Sequence, residues 1–166
     1  MARSALLVIL ISMSCIGCDQ YTKTLAREDL QPGRPVSYFG GFVRFQYEEN
    51  AGGMLSMGSE FSESFRFWVF TVTVALFLFG ILSVVCIHPR LAVGDRLAAA
   101  FIAGGGFGNL IDRLLNDGTV IDFLNVGIGP IRTAVFNIAD VAILTGAALL
   151  LLRHVRKVRV GESSSQ

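Results

Sequence analysis

Charge is scarce in this chain. Lys, Arg, Asp and Glu make up 16% of its 166 residues, 52% are hydrophobic, and the mean hydropathy is +0.59. A water-soluble domain of this size needs more charge on its surface, so the composition excludes an ordinary soluble protein and points to an integral membrane one. A basic excess is also missing: the formal net charge is +1, too little for the basic face that a nucleic-acid partner requires. Cysteine is sparse. Cys15, Cys18 and Cys86 are odd in number, sit in apolar runs and lack zinc-ligand spacing, so they offer neither a disulfide framework nor a metal site. They read as small buried hydrophobes. No internal repeat is present, and the length suits a single membrane domain, 1–166.

What the chain has is hydrophobic runs, and the spans expected from them are about 5–23, 68–87, 97–115 and 133–152. Ala5 to Cys18 is short for a crossing of about 20 residues and reaches that length only through Asp19-Gln20-Tyr21-Thr22-Lys23. Asp19 and Lys23 lie four apart, acid first, so on a helix they share a face and can pair. The same N-terminal pattern, one Arg, an apolar run and a small residue before Cys18, also fits a signal peptide. We read it as a retained helix, because an even number of crossings suits the rest of the chain. Trp68 to Ile87 is free of charge and proline and is stopped by His88-Pro89-Arg90. The third run carries Gly104, Gly105, Gly106 and Gly108, small residues that let helices approach closely. The fourth ends in a basic stop from Arg153 to Arg159, followed by a tail, 160–166, expected to be disordered.

The intervening segments are more polar. Pro32, Gly33, Pro35, Gly40 and Gly41 break any helix, and Phe42 to Tyr47 partly alternates with period two, which predicts short β strands. Phe61 to Phe67 reads as an interfacial lead-in to the second span. Asn116-Asp117-Gly118 signals a turn, Val120 to Leu124 a short strand or loop, and Gly127, Gly129 and Pro130 a loop. With four spans, Arg3, the 88–96 loop with Arg90 and Arg96, and the 153–159 stretch fall on one side, which positive charge marks as cytoplasmic.

Asp140 is the residue that calls for an explanation. It heads the run VAILTGAALLLL, where a carboxylate costs several kcal/mol unless it is protonated, paired or wet. Two nearby carboxyls cannot both ionise easily, so a pair holds one proton; one member can then act as base on water and the other as acid. Asp122 is the candidate partner, provided its loop folds back onto the fourth helix. The alternative is an Asp that packs helices or sits at a helix N-terminus, favoured by the dipole. Asp112 has a cationic neighbour, Arg113, which favours the ionised form and a structural role. Arg113 could hold a phosphate, a carbonyl or a carboxylate. Asn50, Asn109 and Asn137 either satisfy backbone groups or together form a polar clamp for an extended peptide.

These residues fall in motifs. Asp19-Gln20-Tyr21-Thr22-Lys23 resembles D-x-x-T-K, Asn50-Ala51-Gly52 resembles N-x-G, and Gly104 to Arg113 is similar to G-G-x-x-G-N-x-x-D-R. Val120-Ile121-Asp122-Phe123 resembles V-x-D-F, and Phe136-Asn137-Ile138-Ala139-Asp140 resembles F-N-x-A-D. Five motifs in this order resemble the lipoprotein signal peptidases, or signal peptidase II. The resemblance implies an all-α membrane protein of four transmembrane helices with a small outward-facing β cradle (about 36–58 here) and a short interfacial helix. It implies an aspartic endopeptidase of the bacterial inner membrane that cleaves diacylglyceryl-modified prolipoproteins on the N-terminal side of the lipidated cysteine. By motif position Asp122 and Asp140 are the catalytic dyad. Asn50, Asn109, Arg113 and Asn137 contact substrate or support the dyad, and Asp19, Lys23, Asp112, Gly105 and Gly108 are structural support. No metal or organic cofactor is implied. The implied partners are the diacylated signal peptide, membrane lipid and globomycin-type inhibitors, with the protein a monomer, both termini cytoplasmic and the active site periplasmic.

The sequence departs from N-x-G-A-A-F at Gly53, Met54 and Leu55, where Gly53 is expected to loosen the loop and Leu55 removes an aromatic. Two rival readings use the same residues. A small transporter or channel subunit would use Asp140 and Asp112 as an ion path and would not need Asp122. A lipoprotein cut at Cys18 would keep nothing before it.

Overall fold

Glycine decides which helix lies at the centre. The computed structural model describes residues 2–53, 56–88 and 91–163. In chain order these form α1 (Ala2–Asp29), β1 (Val36–Tyr38), a 3-10 turn (Phe39–Gly41), β2 (Val43–Asn50), α2 (Glu63–Arg66), a π-helical stretch (Phe67–Thr73), α3 (Val74–Ile87), α4 (Val93–Leu115), β3 (Val120–Ile128), β4 (Ile131–Arg132) and α5 (Ile138–Ser163). The segments from Glu63 to Ile87 run on as one rod. Helix α4 touches the other three rods through bare backbone. A Cβ at Gly104 would lie 2.7 Å from Cys15 Cβ of α1, one at Gly106 2.5 Å from Leu78 Cδ2 of α3, and one at Gly105 would meet the Ala139 carbonyl of α5. In hydrocarbon no hydrophobic drive brings helices together, so this close approach and the hydrogen bonds it permits hold the bundle.

Among the described residues, three helices are long and apolar enough to cross a membrane: Ala5–Asp29, Glu63–Ile87 and Ile138–Lys157. The third expected span, now α4, is not among them, because its glycines, Asn109, Asp112 and Arg113 dilute its hydropathy. Large apolar side chains such as Leu6, Ile9, Met13, Phe77, Phe79, Leu144 and Leu151 face outward, which suits contact with lipid. Cys18 and Cys86, expected to be buried, lie on this exposed surface, and Cys15 is half-buried.

Several boundaries differ from those read in the sequence. Helix α1 continues to Asp29, so Asp19 and Lys23 lie inside it and are 0% and 2% exposed. The second rod begins at Glu63, capped by the Ser62 hydroxyl accepting from Phe65 N–H. Phe61–Phe67 therefore flows into the span, and no separate interfacial helix forms among the described residues. The fourth rod starts at Ile138 instead of 133, because Phe136 pairs with Leu124 as a β-bridge and Asn137 caps the helix. It runs on to Ser163, through residues expected to be disordered; 164–166, Met54, Leu55, Pro89 and Arg90 lie outside the described residues. Arg96, counted as a loop charge, is buried and donates to the carbonyls of Val85 (3.3 Å), His88 (3.1 Å) and Leu91 (3.2 Å), satisfying groups that the end of α3 leaves open.

The β structure draws on two segments. Its order is β1-β2-β3-β4, all antiparallel. Only β1 and β2 come from 36–58; the expected strand or loop around Asp122 is the long inner strand β3. A bulge between Phe45 and Glu48 sets the register that puts Glu48 opposite Asp122 and Asn50 opposite Val120. The turn before β3 takes left-handed backbone at Asp117 and Gly118 (φ 50° and 84°), as its Asn-Asp-Gly sequence suggests.

Candidate active site

Helix α4 and the first turn of α5 meet β3 at one end of the bundle. Asn137 is the N-cap of α5: its Oδ1 accepts from Asp140 N at 2.9 Å, while Asp140 Oδ2 accepts from Asn137 N at 3.1 Å. This reciprocal pair is the geometry of a capping box. It fixes the Asp140 carboxylate at the mouth of the helix, where the dipole favours negative charge.

The same Asn137 reaches the other acid. Its Nδ2 donates to Asp122 Oδ1 at 2.7 Å, with Asn109 Oδ1 at 3.1 Å and Ile121 O at 3.3 Å as further acceptors. Asn137 is fully buried, so every one of these bonds forms out of water. Asp122 Oδ2 accepts from Asn50 Nδ2 at 3.0 Å, a contact made possible by the β2–β3 register. Asn109 Nδ2 donates to Asp140 Oδ1 at 3.0 Å. Each carboxylate therefore receives two side-chain or backbone N–H bonds, and one buried residue, Asn137, serves both: its side chain donates to Asp122 and its backbone N–H to Asp140.

Asp122 is 4% exposed, and its pKa is pushed up to about 7. Burial is the main cause; the charge of Asp140 adds to it, while hydrogen bonds from Asn50 and Asn137 and the charge of Lys23 act against it. A carboxyl near 7 can hold or release its proton at neutral pH, which suits acid–base work.

Behind the two acids lies a buried ionic block. Lys23 Nζ contacts Asp19 Oδ2 at 2.7 Å, Asp112 Oδ2 at 2.9 Å and Asn109 Oδ1 at 2.9 Å. Asp19 Oδ1 accepts from Ala139 N at 2.8 Å, and Asp112 Oδ2 accepts from Ile121 N at 2.9 Å. The block thus ties α1 and α4 to the strand and helix turn that carry Asp122 and Asp140. Gly108 leaves room for it, since a Cβ there would lie 2.6 Å from Asp19 Oδ2. The cation that Asp112 meets is Lys23 and not its chain neighbour Arg113, since successive residues on a helix do not face each other. Arg113 instead donates to Gly52 O at 2.8 Å and Asn109 O at 3.4 Å and lies over the Phe70 ring, and its Nε is buried without a partner. Gly53, expected to loosen its loop, is tied down: its N–H donates to Met57 O at 2.8 Å and its carbonyl accepts from Asn50 Nδ2 at 3.2 Å.

Of the predicted site residues, Asp122, Asp140, Asn50, Asn109 and Asn137 are joined in one hydrogen-bonded group, with Asp19, Lys23 and Asp112 behind it and Arg113 at its edge. The amides bind the acids and one another, so support for the acids is the role their bonds serve. Sequence reasoning missed Gln20, whose Nε2 donates to Asp112 Oδ1 at 2.8 Å and Gly108 O at 3.1 Å. The signal was present: Gln20 stands three residues before Lys23, on the same helix face. It also missed Phe70, which nothing in the pattern of an apolar span distinguishes from its neighbours.

Comparison with known proteins agrees with this picture. Residues 11–156 match the family model described as signal peptidase (SPase) II. A lipoprotein signal peptidase of Xanthomonas campestris pv. campestris (strain 8004) is 36% identical over 147 residues, covering 87% of this chain and 85% of that protein. Lipoprotein signal peptidases of Mycobacterium avium (strain 104) and Leifsonia xyli subsp. xyli (strain CTCB07) are 33% identical over 160 residues (92% and 81% covered) and 32% identical over 161 residues (93% and 69% covered). A bacterial membrane enzyme solved by the in meso method at 2.3 Å superposes with a TM-score of 0.80 at 24% identity, covering 92% of this chain and 89% of that one; at that identity the likeness speaks for the fold.

Proposed function

The chain belongs to the signal peptidase II family, membrane peptidases that process lipoproteins, and we propose that it does so as an aspartic endopeptidase with Asp122 and Asp140 as its dyad. The observation that carries this reading is the buried Asn137, whose side-chain Nδ2 donates to the Asp122 carboxylate and whose backbone N–H donates to the Asp140 carboxylate, with Asp122 poised at about 7. One carboxyl of the pair holds a proton and the other is ionised. The ionised member takes a proton from water as the water oxygen attacks the scissile carbonyl carbon; the protonated member donates to the carbonyl oxygen. Collapse of the tetrahedral species breaks the C–N bond, and a proton passes to the leaving amine. Asn50, Asn109 and Asn137 orient the carboxylates. Arg113, at the edge of the group and held there by Gly52 O, would meet a substrate carbonyl. The substrate is a diacylglyceryl-modified prolipoprotein, cut N-terminal to its lipidated cysteine, and globomycin-type inhibitors would compete for the same groove. The active form is a monomer that uses neither metal nor organic cofactor.

All four rods cross the bacterial inner membrane in this reading. Helix α4 has 23 residues, about 35 Å at ~1.5 Å per residue, enough for a hydrocarbon core of about 30 Å. Both termini are cytoplasmic, and the sheet and dyad face the periplasm. The ion pair of Arg153 with Asp95 (2.6 Å) and the basic end of α5 suit the cytoplasmic end. Helix α1 is retained: it passes Cys18 unbroken, and Val8 packs with Val85 and Ala100.

Asp122→Asn and Asp140→Asn test the proposal. Each purified variant is expected to lose cleavage of a diacylated prolipoprotein by several orders of magnitude. Near-normal cleavage by either overturns the dyad, and a dispensable Asp122 would favour the ion-path alternative.

A further inference from the structure

The two turns at the far end of the sheet are unusually apolar. Phe39, in the β1–β2 turn, is 84% exposed; Ile128 and Ile131, on either side of Gly129-Pro130, are 75% and 81% exposed. Phe42 is exposed as well. The turns lie side by side. Gly127 N donates to Phe42 O at 2.9 Å, and the Arg132 guanidinium donates to Gly41 O at 2.9 Å and Phe42 O at 3.3 Å. Phe39 holds a left-handed backbone (φ 52°), an uncommon conformation for an aromatic residue and one that presents its ring at the tip.

Just behind this apolar rim stand two cations. Arg44 pairs across the sheet with Asn125, and Arg132 Nε donates to the Asn125 side chain. Arg132 is held below its ordinary pKa by loss of water first and by the like charge of Arg44 second, so the two guanidiniums share one neighbourhood. Among the described residues no carboxylate forms an ion pair with either, and Arg44 Nε is buried without a partner.

We propose that the two turns form a membrane-inserting tip: Phe39, Phe42, Ile128 and Ile131 enter the headgroup–acyl boundary of the adjacent leaflet, and Arg44 meets phosphates of its phospholipids, while Arg132, whose N–H groups already donate to Gly41 O, Phe42 O, Gly127 O and Asn125, adds its charge from behind. Apolar side chains at the point and cations one step behind match the layering of a bilayer surface, where apolar groups sink about 5–10 Å and cations meet phosphate. The rods cross that same bilayer, so lipid lies at hand. A second copy of the chain fits less well, because the two faces would bring four guanidiniums together with no acid between them.

The full chain has a single tryptophan, Trp68. In a Trp68→Phe background, Phe39→Trp and Ile131→Trp each put one indole at the tip; both sites are exposed, so either variant can serve. Reconstituted in phosphatidylcholine–phosphatidylglycerol vesicles, the indole is expected to emit at shorter wavelength and to be quenched by lipids brominated high on the acyl chain more than by those brominated near its end. Emission of a water-exposed indole, quenched by aqueous iodide and insensitive to bromolipid, overturns the proposal. Adding Arg44→Gln is expected to weaken bromolipid quenching in phosphatidylglycerol vesicles. An unchanged signal overturns the phosphate contact, and displacement by inorganic phosphate alone shows a free-anion site in place of a lipid one.

Discussion

Replacing Asn137 with alanine should move the pH dependence of cleavage upward. Its Nδ2 donates to Asp122 Oδ1 at 2.7 Å with no water nearby, since Asn137 is fully buried. That bond favours the ionised carboxylate and opposes the burial and the Asp140 charge that raise Asp122 to about 7. A hydrogen bond to a charged group contributes about 1.5–3 kcal/mol, and one pKa unit corresponds to about 1.4 kcal/mol. Losing the bond should therefore raise the pKa of Asp122 by roughly one to two units. The limb of the kcat/KM profile that reports this proton should move from about 7 to about 8–9. The variant also loses the cap on Asp140 N, at about 1 kcal/mol of stability, so thermal unfolding in detergent is followed in parallel. The assay is cleavage of a diacylated prolipoprotein across pH by protein shown to be folded. A limb that stays in place or moves down while the rate falls refutes the electrostatic reasoning and leaves Asn137 a purely structural cap.

Three further outcomes follow from the same geometry. Asp122 binds its proton more tightly folded than unfolded, where the ordinary value is 3.8. Its burial therefore destabilises fully above pH 7 and progressively less as pH falls toward 4. Asp122→Asn should stabilise the protein at pH 8, by up to about 4 kcal/mol, and little at pH 4; a gain independent of pH in thermal unfolding would contradict this. Asp112→Asn leaves Lys23 with one acid instead of two, and breaking a buried pair costs about 3–5 kcal/mol, so the melting temperature should drop while the rate per folded molecule falls less. A variant that melts normally but is inactive counts against it. Gly105→Ala should harm cleavage more than Gly106→Ala, because its Cβ meets the Ala139 carbonyl beside Asp140, whereas that of Gly106 meets the end of the Leu78 side chain, away from the site; equal activities would show that the first turn of α5 tolerates displacement.

The parts of this architecture written in local pattern were legible. Apolar runs located all four rods, and the i,i+4 spacing of Asp19 and Lys23 announced their 2.7 Å contact. What depends on pairing distant segments was not. Asn50 and Asp122 are 72 residues apart and meet only through the β2–β3 register, which a bulge sets and no short window contains. The helix ends were hidden for a related reason. Residues 133–136 read in the sequence as part of the fourth span, but the β-bridge of Phe136 to Leu124 ends the sheet there, and the cap at Asn137 then places Asp140 in the first turn. Helix α4 was legible as a run yet is not among the helices apolar enough by composition to cross a membrane, because its glycines and polar residues serve contacts with neighbouring helices and the site.

Charge distribution links the stability of this end of the bundle to its chemistry. Four acids, Asp19, Asp112, Asp122 and Asp140, stand in one network with two cations, Lys23 and Arg113. Lys23 contacts Asp19 and Asp112 directly, and among the described residues no cation is within ion-pair distance of Asp122 or Asp140. The excess negative charge therefore concentrates on the proposed dyad, where keeping one proton is the least costly relief, and burial favours that neutral form. Lys23 completes the arrangement through Asn109: its Nζ bonds Asn109 Oδ1 at 2.9 Å, which turns Nδ2 toward Asp140 at 3.0 Å. One buried lysine thus neutralises the acids that tie helices to strand and orients an amide that holds an acid of the dyad. Lys23→Met should accordingly impair folding and, in whatever protein folds, loosen Asp140; conserving the charge with Lys23→Arg should restore stability only if the wider guanidinium fits between Asp19 and Asp112.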